Sequence, residues 1–182
     1  MERNMGTNSI KILDIVQVSL MAAIICVATM FIKFPNQIGY THIGDSMVFV
    51  AAILFGKKKG AAASAIGMMF ADILTGYAVW APFTFVIKGI MGFIVGSIAY
   101  RKNYEGKNLM NNTFAFVIAG IWMILAYYLA NIVMAKYIVF EAATLHESQM
   151  IALAGIPGNC IQAVVGMVLA LPLSKILKEK IK

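Results

Sequence analysis

GYTHIGDSMVFVAAILFGKKKGAAASAIGMMFADILTGYAVWAPFTFVIKGIMGFIVG, residues Gly39–Gly96, decides the fold class. Most of it is apolar enough to lie in a bilayer, yet Asp72 and Lys88 fall inside what should be hydrocarbon. Three consecutive lysines, Lys57 to Lys59, separate two apolar segments. The chain as a whole agrees with that stretch. Its 182 residues are 61% hydrophobic and 13% charged, with a mean hydropathy of +0.83. A soluble domain is nearer half apolar and a quarter charged, so there is too little charge here to coat a soluble globule. The sequence therefore predicts an all-α integral membrane protein of the cell membrane, multi-pass.

About 20 helical residues cross a bilayer. On that measure the apolar runs predict six spans in a single domain over residues 1–182, at about 12–32, 45–56, 60–76, 82–100, 113–135 and 150–173. The second run is short and is expected to be tilted or not fully spanning. Pro82 suits the first turn of the fourth helix, where a missing N–H costs nothing. Pro157 either kinks the last helix or marks its first turn. The first run is longer than a signal-peptide core and lacks a small-residue cleavage pattern, so no signal peptide is expected.

The net charge of +7 does not imply nucleic acid, because the basic residues sit in short loops beside apolar runs. With both termini in the cytoplasm, the inner side holds Arg3, Lys11, Lys57 to Lys59, Arg101, Lys102, Lys107 and the four C-terminal lysines. The outer side holds only Lys33 and Lys136, the asymmetry expected of a membrane protein.

Asp72 and Lys88 lie roughly 6–9 Å below the outer end of consecutive antiparallel helices, at 1.5 Å per residue. Each is the other's obvious partner at that depth. The pair reads either as a ligand contact or as a structural clamp, and intramembrane charges mark function by default. Thr84 shares a face with Lys88. Asn159 and Gln162 share a stripe with Gly155 and Gly166 on the last span, and Tyr127, Tyr128 and Asn131 lie toward the outer end of the fifth. Tyr77 and Trp80 fall in the outer turn, while His42 and Asp45 sit on the first outer loop, Lys33 to Asp45. That loop is long for so economical a chain and is expected to act as a lid over ligand. Charged, amide and aromatic groups at one end of an apolar bundle describe a site for a polar ring ligand.

Ser19, Ala22, Ala23 and Cys26 make a small-residue stripe on the first span. Such stripes admit a close helix, either of a partner or of the same chain. There is no GxxxxGK[ST], HExxH or GxSxG, so no ATP site, catalytic motif, metal site or cofactor is expected. Six short helices without an inverted repeat are also meagre for a self-sufficient transporter.

The stretches THIGDSMVFVAAILFGKKKGA, FADILTGYAVWAPFTFVIKGIMGFIVG and GIPGNCIQAVVG resemble the substrate-binding (S) components of energy-coupling factor (ECF) vitamin transporters. The closest group is the riboflavin type, which includes hydroxymethylpyrimidine and pyridoxine binders. The resemblance implies capture of a small-molecule vitamin near the outer face. It also implies partnership with a transmembrane coupling subunit and two ATPase subunits, and a first helix that meets the coupling subunit through AxxxA spacing. Here Ser19 stands for the first alanine before Ala23, and Ala22 pairs with Cys26 at the same spacing. The implied function is a non-enzymatic vitamin-binding subunit, for a pyridoxine-like or hydroxymethylpyrimidine-like vitamer with riboflavin next. The alternative is a small intramembrane enzyme or lipid-binding scaffold.

Overall fold

A computed structural model describes residues 12–35, 40–138 and 144–180. The first helix, α1 (Ile12–Phe31), is apolar on every side. It buries Met21, Ala22, Ile25, Cys26 and Thr29 on one stripe. Leu13, Val16, Leu20, Val27 and Phe31 are left exposed on the others. An apolar helix with one packed stripe and exposed apolar faces suits a lipid surround.

Two three-residue strands follow, β1 (Lys33–Pro35) and β2 (Tyr40–His42). They pair antiparallel, with Lys33 opposite His42 and Phe34 opposite Thr41. The expected outer loop is therefore in part a small β-hairpin, whose residues 36–39 lie outside the described residues.

Helix α2 (Gly44–Leu74) is broken at Gly56, where φ is 76° and ψ is −176°. Glycine reaches that region at no steric cost. Beyond it the chain doubles back: a Cβ added to Gly60 would stand 2.6 Å from the Ala52 Cα. In a continuous helix those residues would be about 12 Å apart. The two limbs correspond to the expected second and third spans. The turn is tighter than expected, since Lys57 to Lys59 are already helical. Carbonyls freed at the break are satisfied from elsewhere. The Tyr100 hydroxyl donates to Ile53 O at 2.9 Å and Leu54 O at 3.1 Å, and Lys178 Nζ donates to that hydroxyl at 2.9 Å. Lys59 ties the same region to α1 through Asp14, at 2.7 Å.

A 3-10 turn at Ala78–Trp80 leads into α3 (Ala81–Ala99), with Pro82 in its first turn. Helix α4 (Leu109–Tyr137) is capped by the Asn108 side chain, which accepts from Asn111 N. Thr144 and Glu147 form a reciprocal capping box on α5 (Leu145–Ala154). The chain bends at Gly155 and continues as α6 (Ile156–Lys180). Pro157 thus falls in the first turn of α6, and the last helical segment is longer than the expected 150–173.

Among the described residues, four helical segments are long and apolar enough to cross a membrane: Ile12–Phe31, Ala78–Ala99, Leu109–Tyr137 and Leu145–Lys180. The lysines at the break set α2 apart from them. Small residues let the helices close up. A Cβ on Gly67 of α2 would come 2.5 Å from the Ala22 carbonyl of α1, and one on Gly92 of α3 would come 2.9 Å from Ser64 Oγ. The core, including Phe49, Met68, Met91, Val95, Phe116 and Met123, fills the space between α2, α3 and α4.

Candidate ligand-binding site

A cavity opens at the end of the bundle where β2 meets the second limb of α2 and the starts of α3 and α6. Its empty volume is about 510 Å³ with the open mouth included, an upper bound on the room for a ligand. Each wall comes from a different element. Tyr40 and His42 come from β2 and Asp72 from the end of α2. Tyr77 and Trp80 come from the turn, Thr84 from α3, and Tyr127 and Asn131 from α4. Gly155, Asn159 and Gln162 come from the bend and α6. Aromatic and amide groups around one carboxylate make a lining suited to a flat polar molecule.

Lys88 and Asp45 are absent from that lining. Both side chains are fully buried, with Lys88 Nζ 2.5 Å from Asp45 Oδ1. Asp45 Oδ2 accepts from Gln162 Nε2 at 2.9 Å, and the ammonium also lies 3.0 Å from Met123 Sδ. The ion pair is therefore one hydrogen bond behind the cavity wall. This corrects the expected Asp72–Lys88 pairing: the lysine is committed to the acidic residue at the start of α2. Burial so deep is tolerable because the charges neutralise each other and their remaining bonds are filled.

Gln162 joins this pair to the hairpin. Its Oε1 accepts from the His42 backbone N–H at 3.2 Å while its Nε2 serves Asp45. The His42 ring is buried, and its Nδ1 accepts from Gly44 N at 3.1 Å. That bond requires an unprotonated Nδ1. Burial, opposed by the Asp45 charge and aided by that of Lys88, holds the imidazole pKa down to about 4.

Asp72 has a different environment. Its Oδ1 accepts from the Tyr40 hydroxyl at 2.6 Å. Among the described residues its Oδ2 is buried without a hydrogen-bond partner. The Thr84 hydroxyl, also on the lining, shares a hydrogen bond with the Tyr127 hydroxyl at 3.3 Å. An unpaired buried carboxylate oxygen costs about 1–3 kcal/mol or more. The Tyr40 phenol, held by burial and by Asp72, has its pKa raised. Its ring stands 4.8 Å from that of Tyr77, and Lys33 Nζ lies 5.3 Å from its centroid.

Of the nine expected site residues, Asp72, Thr84, Tyr77, Trp80, His42, Asn159 and Gln162 line the cavity, and Lys88 and Asp45 do not. Tyr40 also lines the cavity and is not foreseeable from the sequence, since a loop tyrosine carries no periodic signal. The α1 stripe divides as well. Ala22 and Cys26 are buried in the interior, Ala22 against the Gly67 seam, whereas Ser19 and Ala23 are exposed.

The sequence matches a family model described as "ECF-type riboflavin transporter, S component" over residues 9–179. A Pyrococcus woesei protein, described as "Uncharacterized protein in gap 3'region", is 33% identical over 159 residues. The alignment covers 86% of this chain and 96% of that protein. The solved S component of a bacterial ECF transporter has a similar fold. Its TM-score is 0.68 at 19% identity, over 93% of this chain and 98% of the other.

Proposed function

We propose, for a chain that belongs to the ECF-type riboflavin transporter S component family, that its ligand is a pyridine or pyrimidine vitamer such as pyridoxine or hydroxymethylpyrimidine. Family membership makes the protein a vitamin-binding, multi-pass membrane subunit of a transporter and not an enzyme. The ring class is our reading. The observation that carries it is the cavity itself, with Tyr77, Trp80 and Tyr127 around Asp72 and the amides of Asn131, Asn159 and Gln162. Riboflavin is the second reading, favoured by the riboflavin designation of the family.

The two limbs of α2 count as two spans, which with α1, α3, α4 and α6 makes six and puts both termini on the cytoplasmic side. The β1–β2 hairpin closes over bound ligand from outside. Uptake draws energy from two ATPase subunits through a coupling subunit, met on α1 by Ser19 and Ala23. Mass spectrometry of small molecules extracted from the purified protein tests the ligand. A retained pyridine or pyrimidine vitamer is the expected result. Retained flavin would shift the assignment to riboflavin, and lipid alone would remove the vitamin reading.

A further inference from the structure

Among the described residues on the cavity lining, Asp72 alone is formally charged, because His42 is held neutral and Lys88 lies behind the wall on Asp45. One of its oxygens is taken by Tyr40 and the other is buried without a partner among the described residues. Buried polar atoms in native proteins are almost always hydrogen-bonded, and an orphan is a place where a missing group belongs. A carboxylate oxygen can only accept, so the missing group is a donor. In a confined apolar bundle a donor that also carries positive charge gains most, since charge-assisted bonds are about twice as strong as neutral ones. Tyr40, Tyr77, Trp80 and Tyr127 line the cavity with Asp72 and can pack against a flat ring.

We propose that Asp72 is the specificity-determining residue of the site, and that it selects a flat heteroaromatic ligand bearing a proton on nitrogen, either an amino group or a ring N–H⁺. The inference rests on the vitamin-binding reading above and narrows it. An acidic or donor-free ring is rejected, because it leaves Asp72 unpaired or repels it. The lysine, which the sequence alone presents as a second ligand contact, has no part in recognition.

The test uses titration calorimetry on the full-length protein in nanodiscs. The probes are 4-amino-5-hydroxymethyl-2-methylpyrimidine, its 4-methyl counterpart, pyridoxine and riboflavin. Replacing amino by methyl keeps shape and removes the donor. The unmodified protein should bind the amino probe or pyridoxine. Loss of the amino group, or Asp72→Asn for pyridoxine, should weaken binding roughly 30-fold, the scale of a charged hydrogen bond. For the amino probe, Asp72→Asn should also shrink the amino-to-methyl ratio to a few-fold. Equal binding of the amino and methyl probes would overturn the inference, and needs no variant that must fold. So would tight riboflavin binding unaffected by Asp72→Asn, which leaves the vitamin reading intact. Binding of none of the probes would remove both.

Discussion

Lys88 of α3 and Asp45 of α2 meet as a fully buried ion pair, 43 residues apart in sequence and 2.5 Å apart in space. The pair welds the start of α2 to the middle of α3, and through Gln162 it reaches α6. Removing one partner leaves a buried charge alone. Lys88→Met or Asp45→Asn should therefore each destabilise the protein by about 3–5 kcal/mol. The double variant should recover most of that loss while binding ligand, since neither residue lines the cavity. Chemical unfolding of the three variants in one detergent checks this. A double variant no more stable than the singles would contradict it.

His42 predicts a pH dependence. Its imidazole is neutral in the fold with a pKa of about 4, against 6.5 in the unfolded chain. Between those values the unfolded state binds more protons, so stability rises with pH. The contribution is fully present above pH 6.5 and is lost as pH falls through 4, reaching about 3 kcal/mol. Thermal unfolding across that window should show the slope, and His42→Asn, which keeps an acceptor for Gly44 N, should flatten it. An unchanged slope in the variant would place the titration elsewhere.

The seam between α1 and α2 leaves no room for a side chain at Gly67. A Cβ there would meet the Ala22 carbonyl at 2.5 Å and Ile25 Cβ at 2.9 Å. Gly67→Val should cost about 1–3 kcal/mol or more by overpacking. Gly76, whose Cβ would meet nothing within 4 Å, offers the contrast. With φ at +87°, Gly76→Ala should cost only about 1 kcal/mol from backbone strain. Melting temperatures of both variants decide the order.

The split of the α1 stripe separates docking from packing. Ala23 is exposed and Ala22 is buried. Ala23→Trp should abolish uptake while leaving ligand affinity nearly intact, because a bulky group holds a partner helix away. Ala22→Trp should instead damage folding. Equal loss of binding and uptake in Ala23→Trp would assign Ala23 to internal packing.

Much of this was legible in the sequence for a physical reason: a bilayer demands long apolar runs, and the lysines mark where they end. The helix start near Pro82 and the break beside Lys57 follow from local pattern, whereas Pro157 allows either a kink or a first turn and does not by itself fix the start at Ile156. Pairing across the fold does not follow from it. Acidic residues stand on both limbs of α2, Asp45 and Asp72, and Lys88 meets Asp45, a choice made by tertiary packing that no local pattern records. The Tyr40–Asp72 bond depends on strands three residues long, too short to leave a period. The α1 stripe was ambiguous because small residues suit a partner and an internal neighbour equally.

The most direct test of the account is an experimental structure of the protein saturated with the vitamin it retains. The account predicts ring density between Tyr77, Trp80 and Tyr127, with a nitrogen-borne donor at hydrogen-bond distance from Asp72 and the Lys88–Asp45 pair undisturbed behind the wall. Ligand density outside this cavity, or a ring whose only charged contact is Lys88, would contradict it.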